Sequence, residues 1–425
     1  MILFAIALLF AISAFLSIRE DEEWLGHFVF PRNHEVSVFN KGGEVFQKWS
    51  LIPAKVIEEM PDSLTIKTDR YPGPYVGDVK KADAVTMADA PKYFTSLIIK
   101  NSNNYLAWLY RAEVWLMNND FDKSIQDFTE AIRLNHSNYT YTCRGIAWLE
   151  KQDYNKAIID FDMAILLDPS IPESLINRGV AWLAKQEHNK AIKDFDDTLR
   201  LKPSFIDAFL QRGYARHHIH EYDKAIADYS ETLLLDSKNV SAICARGNAW
   251  HSKKEYDKAI EDFTEAIRID HDNVSAFCNR GYAWHSKGEY DKAIQDYHDA
   301  IQLCPDYCYS LNNLAWLLAT CQVAKFRNGK RAVELATKAC ELSKWKIALF
   351  IGTLGAAHAE LGDFEKAIEY QKAALKDKAY DQRYGEEARG QLKHYEQKMP
   401  FYELAPTNCF PFVLSEEPLV TPSDK

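Results

Sequence analysis

Three histidines with a fixed spacing are the first residues whose type could support chemistry. His217, His251 and His285 are each separated by 34 residues, and Cys244 and Cys278 share that spacing. Imidazole and thiolate groups are common zinc ligands. Equivalent positions on stacked helices lie about 10 Å apart, whereas zinc holds each imidazole nitrogen at about 2 Å. We therefore predict no metal site here, and the histidines need another interpretation.

Motifs for catalysis are also missing from the sequence. No phosphate-binding glycine loop, serine elbow or paired-carboxylate signature occurs. The aspartates and glutamates recur in "DKAI.D" contexts, where solvated helix faces and helix pairing explain them. We predict a protein that is not an enzyme, with no catalytic residue and no cofactor.

The histidines belong to an internal repeat, and a search for periodicity shows its unit. The phrase "YDKAI" or a close variant recurs at spacings of 33 and then 34 residues, with a weaker copy at Phe364. Its copies begin at Phe121, Tyr154, His188, Tyr222, Tyr256 and Tyr290. Each unit has two apolar-periodic stretches joined by a short polar turn, which predicts a helix hairpin.

Small and large residues alternate at fixed places in these units. Glycine recurs on the first helix, alanine on the second, and aromatic rings surround them. Glycine inside a helix costs roughly 0.5–1 kcal/mol relative to alanine. We interpret the repeated glycine as a close approach of two helix backbones, and we expect the tryptophans of the first helices, such as Trp250, to be core residues.

These residues resemble the tetratricopeptide repeat. Small residues at places eight and twenty, an aromatic residue at place twenty-four and proline at place thirty-two are its pattern. The resemblance covers about 310 residues and implies a mainly α solenoid, a right-handed superhelix of helix hairpins. On this register, eight units within 105–380 start at residues 105, 138, 172, 206, 240, 274, 308 and 348. Capping helices are predicted in 87–104 and 381–401, followed by a flexible tail in 402–425.

The resemblance also implies a binding groove. In this family, places two, five, nine, twelve and thirteen of the first helix face the concave side. For the middle units we select Asp207, Leu210, Tyr214, His217, His218, Cys244, Asn248, His251, Ser252, Cys278, Tyr282, His285 and Ser286. A polar, aromatic-rich groove for a peptide or partner helix is one interpretation. Repeat duplication with neutral surface histidines is the other, and both stay open.

Two features of the sequence limit the class of partner that we expect. Chaperone-binding members of the family hold a C-terminal carboxylate with lysine at place five and asparagine at place nine. Here only Asn248 fits, so we predict no chaperone-type carboxylate clamp. The formal net charge of −10 argues against nucleic acid as the main partner.

Arginine and aspartate occur together at places seven and twenty-three of the first six units, and both are lost in the last two. Arg246 and Asp262 are one example. Joint presence and joint loss predict a paired arginine–carboxylate contact between helices, within or between units.

The segment before the repeats has a different pattern. Short β-type runs within residues 24–86 are broken by "PRN", "NKGG", "MPDS" and "YPGP", which predicts about five strands. Together with "VGDVKKADAVTM" they are similar to bacterial SH3-like domains, small β-barrels that precede such repeat arrays. The resemblance implies a docking site, whereas a simple cap for the first helix is the alternative.

The first eighteen residues carry no charged side chain and are followed by "REDEE". This pattern predicts a signal peptide or a membrane anchor, with a buried N-terminal helix as the alternative. Export would place the chain outside the cytoplasm, in the periplasm or cell envelope. The cysteines sit mostly at places of small helix residues, so we expect free, structural thiols.

The sequence therefore predicts a non-enzymatic scaffold that binds a protein or peptide in the concave groove, with Tyr214 and Tyr282 as anchors. The alternative is a cell-envelope protein that binds its ligand through the SH3-like domain and uses the repeats as a spacer.

Overall fold

The computed structural model describes the backbone of seven strands between residues 28 and 86 and all atoms of residues 88–403. The predicted signal peptide or anchor at residues 1–18, and the tail beyond residue 403, lie outside the described residues. The chain divides into two compact units at Phe205 and Ile206. No helix of the described part is long and apolar enough to cross a bilayer.

The first unit begins with an antiparallel sheet. Its order is β3-β2-β6-β5-β4-β1-β7, so neighbours in the sheet are not always neighbours in sequence. The strands are β1 Phe28–Pro31, β2 Val36–Phe39, β3 Val45–Trp49, β4 Ala54–Glu59, β5 Ser63–Thr68, β6 Tyr75–Lys80 and β7 Ala84–Thr86. The prediction of β structure before the repeats agrees with this sheet, whereas the SH3-like assignment stays a prediction.

Helices complete the first unit. A single helix is followed by three antiparallel hairpins. The helices are α1 Ala90–Lys100, α2 Tyr105–Met117, α3 Phe121–Leu134, α4 Asn138–Glu150, α5 Tyr154–Leu167, α6 Pro172–Ala184 and α7 His188–Leu201.

The second unit contains five hairpins and a long closing helix. Its helices are α8 Ile206–His218, α9 Tyr222–Leu235, α10 Val240–Ser252, α11 Tyr256–Ile269, α12 Val274–Lys287, α13 Tyr290–Leu303, α14 Cys308–Thr320, α15 Gly329–Leu342, α16 Ala348–Glu360, α17 Phe364–Ala374 and α18 Lys378–Glu396. The mainly α arrangement of stacked hairpins that the 34-residue period predicts is confirmed.

Local signals start and end these helices. Asn239 caps α10, its side chain accepting a hydrogen bond from the backbone N–H of Ala242 at 3.0 Å. Most hairpin turns reverse the chain through one residue with positive φ, and Gly288 has the conformation that suits glycine. The equivalent residue of the preceding unit is Lys254, with φ 63°. A residue with a β-carbon therefore adopts the left-handed conformation there, which is unfavourable for residues other than glycine.

The recurrent glycines of the first helices make room for an aromatic ring. A β-carbon at Gly247 would lie 2.8 Å from Cε1 of Phe263, and one at Gly213 would lie 2.5 Å from Cε1 of Tyr229. Real carbon–carbon contacts lie near 3.5–4.0 Å. The expectation of backbone against backbone is thus corrected for these hairpins, because the second helix presents its ring to the glycine.

The recurrent tryptophans near the ends of the first helices are only partly buried, which corrects their assignment to the core. They are Trp115, Trp148, Trp182, Trp250 and Trp284. Trp250 packs against the edge of the interior, and the ammonium groups of Lys253 and Lys258 lie 5.6 Å and 4.4 Å from its ring centroid. Most of the fully buried large rings in the described residues lie on second helices, and Phe263 is one of them. Lysine stems therefore shield the tryptophan row from solvent.

The arginine–aspartate contact is confirmed, and it lies within each of the first six hairpins. In the fifth hairpin Arg246 donates from Nε and Nη2 to the two carboxylate oxygens of Asp262, at 3.0 Å and 2.7 Å. Its remaining Nη1 donates to Ser230 of the preceding hairpin at 3.4 Å. Burial raises the pKa of Asp262, and Arg246 opposes that rise. The pair joins the two helices and ties them to the previous repeat.

Candidate protein-binding site

One side of the first helices in the second unit carries the three repeated histidines. We call it the histidine face and define it by His217 on α8, His251 on α10, His285 on α12 and Trp316 on α14. These first helices contact one another in sequence order, so the four residues follow the direction in which the hairpins stack.

Two of the histidines form matching hydrogen bonds between repeats. Nε2 of His217 lies 3.1 Å from Oγ of Ser252, and Nε2 of His251 lies 2.9 Å from Oγ of Ser286. Burial lowers the pKa of His217 to about 4 and that of His251 to about 3. Both rings are therefore neutral at neutral pH, and each ties its repeat to the next one.

The third histidine breaks this pattern. At the place where a serine would follow, the chain has Thr320, whose hydroxyl donates to the carbonyl oxygen of Trp316 at 2.8 Å. Nε2 of His285 instead lies 3.4 Å from a carboxylate oxygen of Glu403. A residue beyond the last helix thus takes the position that a serine hydroxyl has in the two preceding repeats.

Glu403 is held by both its side chain and its backbone. Its carboxylate accepts a hydrogen bond from the indole N–H of Trp316 at 3.2 Å, and its backbone N–H donates to the carbonyl oxygen of Thr320 at 2.9 Å. A parallel bridge pairs it with Cys321. Glu403 is only 6% exposed, and a buried carboxylate needs such donors to be tolerated. The prediction of a flexible tail from residue 402 is corrected at this residue.

The two residues before Glu403 add aromatic contacts. Phe401 lies 6.4 Å from the Trp316 ring, centroid to centroid. The guanidinium of Arg327 lies 4.0 Å from the ring centroid of Tyr402. Arg327 is fixed by its own hydrogen bonds, from Nε to Glu360 at 3.0 Å and from Nη1 to the Cys321 carbonyl at 2.9 Å. Residues 401–403 therefore lie against the end of the histidine face.

The structure places most of the thirteen predicted groove residues in the interior. His218 is exposed, and Asp207, Ser252 and Ser286 are partly exposed. The buried ones are Leu210, Tyr214, His217, Cys244, Asn248, His251, Cys278, Tyr282 and His285. His217, His251 and His285 are therefore buried and are not surface residues.

Tyr214 and Tyr282 are both 6% exposed, which corrects their role as ready anchors. The Tyr214 ring packs edge-on against Tyr229 at 5.6 Å. The Tyr282 ring stacks on His251 at 4.8 Å, in a cluster with Trp316 against which Phe401 packs. The anchors expected for a partner are therefore covered by the chain itself.

The groups of this face are hydrogen-bond donors, hydrogen-bond acceptors and aromatic rings. Burial raises the pKa of the Cys244 and Cys278 thiols to about 12, so they stay protonated. Among residues 88–403 no group of three or more histidine, cysteine or acidic side chains could hold a metal ion. The face offers an indole N–H, a guanidinium plane and a backbone carbonyl, which suit an extended polypeptide.

Comparison with known families agrees with this architecture. Residues 88–138, 274–307 and 350–376 match models described as tetratricopeptide repeat, and residues 247–288 match one described as TPR repeat. The chain contains tetratricopeptide repeats. Such repeats suggest protein–protein interaction scaffolding. The comparison with curated proteins gives no match.

One of three similar solved structures shares the repeat fold over more than half of this chain. A tetratricopeptide repeat protein from Parabacteroides merdae is similar with a TM-score of 0.50 and 16% identity, over 60% of this chain and 98% of that chain. The crystal structure of MamA is 26% identical over 37% of this chain and 93% of that chain, with a TM-score of 0.36. YrrB, "a TPR protein with an unusual peptide-binding site", is 22% identical over 44% of this chain and 96% of its own, with a TM-score of 0.38. The first likeness concerns the fold alone, and nothing about function follows from the other two.

Sequence reasoning missed the residues that hold Glu403. Trp316 and Thr320 occupy places nine and thirteen of the seventh tetratricopeptide repeat. The predicted groove residues all belong to units four to six, which precede it. Arg327 belongs to the extra stretch "AKFRNGK", which the structure folds as a 3-10 helix, Ala324–Phe326, a two-residue link and the start of α15. That insertion was the available signal, because it is the one turn whose length differs strongly from the others.

Proposed function

We propose that the chain is a non-enzymatic scaffold whose histidine face binds an extended segment of another protein. The observation that carries this proposal is the chain's own segment 401–403. It lies on the face with one backbone hydrogen bond, one parallel bridge and a buried side chain, which are the contacts that an added strand would make.

The composition of the face supports a polypeptide ligand. Trp316 supplies a large ring with a polar N–H, and Arg327 supplies a fixed cationic plane. Tryptophan and arginine are the residues that most often dominate binding energy at protein interfaces. The partly exposed Asp207, Ser252 and Ser286 extend this surface along the preceding repeats.

Position-specific photo-cross-linking tests the proposal with a matched pair of glutamines. Gln322 is exposed beside the Glu403 contact, and Gln295 is exposed on the second helix α13. With a photoreactive residue at each position in turn, cells that express the full chain should yield a cross-linked partner from Gln322 and none from Gln295. Equal products from both positions would contradict the proposal.

A second candidate function uses the sheet of the first unit. We propose it because seven paired strands lie ahead of the tetratricopeptide repeats, where the sequence resembles SH3-like domains. Combined with the uncharged residues 1–18, it would make the chain an exported cell-envelope protein. A photoreactive residue at Lys67 in β5 separates the two functions, since a partner captured there and not at Gln322 favours the sheet.

A further inference from the structure

We infer that residues 401–403 are a built-in competitor that occupies the binding pocket of this face, and that the partner presents the same chemistry: an aromatic side chain followed two residues later by a carboxylate. This inference rests on the proposed function. We call the pocket that His285, Trp316 and Thr320 form around Glu403 the carboxylate pocket.

The repeat pattern identifies Glu403 as a ligand of the pocket. His217 and His251 each bond to a serine hydroxyl of the next repeat. His285 has no such serine, and its Nε2 faces the Glu403 carboxylate at 3.4 Å. The stacking of repeats alone therefore leaves one polar position to be filled from outside the array.

The contacts define what the pocket recognises. The indole N–H of Trp316 donates to the Glu403 carboxylate at 3.2 Å. The Thr320 carbonyl oxygen accepts a hydrogen bond from the backbone N–H of Glu403 at 2.9 Å. The Trp316 ring faces Phe401 at 6.4 Å between centroids. An acidic side chain, an extended backbone and an aromatic residue two positions earlier satisfy all of these groups together.

The short connection to α18 explains why residues 401–403 occupy the pocket when no partner is present. The helix ends at Glu396, and Lys398 with φ 57° turns the chain back, with the Met399 N–H donating to the His394 carbonyl at 2.9 Å. Such a short link gives an effective concentration of roughly millimolar. A free partner segment of equal intrinsic affinity therefore binds only when it outcompetes that local concentration.

The test uses the full chain and a labelled peptide, KMPFYELAPTN, with the sequence of residues 398–408. Its fluorescence anisotropy is measured with the wild-type chain and with the variant Phe401→Ala/Glu403→Gln. We expect the variant to bind the peptide at least about tenfold more tightly than the wild type. A control peptide with the same two replacements should bind neither protein.

Two further measurements make the result decisive. Adding Trp316→Phe to the variant keeps a ring and removes the indole N–H, and it should reverse the gain. Hydrogen–deuterium exchange should show the backbone amide of Glu403 protected in the wild type and unprotected in the variant.

Equal peptide affinity of wild type and variant, or an amide that stays protected in the variant, would overturn the competitor role. If Gln322 still yields a cross-linked partner in that case, the proposed function survives. If Gln322 yields no partner either, both the proposed function and this inference are wrong.

Discussion

Replacing Gly247 by alanine is the sharpest perturbation of the hairpin packing. The added methyl would lie 2.8 Å from Cε1 and 3.0 Å from Cζ of Phe263, a ring with no solvent exposure. To reach an ordinary carbon–carbon distance the ring must move by roughly 0.7 Å into a filled interior. Overpacking of this kind costs about 1–3 kcal/mol, and the better helix propensity of alanine returns roughly 0.5–1 kcal/mol. We expect a net loss of about 0–2.5 kcal/mol, with a middle value of roughly 1 kcal/mol.

The matched control is Gly390→Ala in α18, where a β-carbon would meet no atom within 4 Å. There only the propensity gain remains, so the free energy of unfolding should rise by roughly 0.5–1 kcal/mol. Urea unfolding of the full chain, followed by far-ultraviolet circular dichroism, measures both values. Both substitutions replace glycine by alanine, but they should change the free energy of unfolding in opposite directions.

A second substitution locates the cause. Combining Gly247→Ala with Phe263→Leu removes the ring that the methyl would strike, so the double variant should be more stable than the sum of the single effects predicts. Additive effects, or stabilisation by Gly247→Ala alone, would refute the reasoning that the glycine exists to admit the ring.

Three more predictions use the same unfolding assay. A double-mutant cycle with Arg246→Ala and Asp262→Ala should give a coupling of about 1.5–3 kcal/mol, and a value near zero would contradict the bidentate pair. Lys254→Gly should stabilise by roughly 0.5–1 kcal/mol because its φ is positive, whereas Gly288→Lys should destabilise, and equal signs would contradict this. The pKa of His251 is lowered to about 3 in the folded chain. In the unfolded chain this histidine has a pKa near 6.5, so below that pH the unfolded state binds a proton and the folded state does not. The contribution of His251 to the free energy of unfolding is therefore complete above pH 6.5 and decreases toward pH 3. The decrease should be about 2 kcal/mol between pH 7.5 and 5. The variant His251→Asn should lose that part of the slope, and an unchanged slope would show that the ring is not buried as a neutral base.

The hairpins could be predicted because their information is repeated in the sequence. Five units place a glycine and a ring sixteen residues apart, as in Gly247 and Phe263, so one chain supplies several copies of the same packing rule. The pair of Arg246 and Asp262 could be predicted for the same reason, because arginine and aspartate disappear together from these places in the last two units.

The covering of the histidine face could not be predicted in this way. Places within a repeat show which side of a helix a residue such as Tyr282 occupies, but they do not show what packs over it. Here the cover includes Phe401, which lies in a stretch with no repeat and no periodicity. Its position depends on the turn at Lys398, which follows the closing helix, and on Arg327 from an insertion.

A crystal structure of the Phe401→Ala/Glu403→Gln chain with the peptide KMPFYELAPTN tests the central claim most directly. The account predicts that the peptide glutamate lies within about 3.5 Å of the indole nitrogen of Trp316, with its backbone against Thr320. A peptide bound to the second helices or to the sheet of the first unit, with this pocket empty, would contradict it.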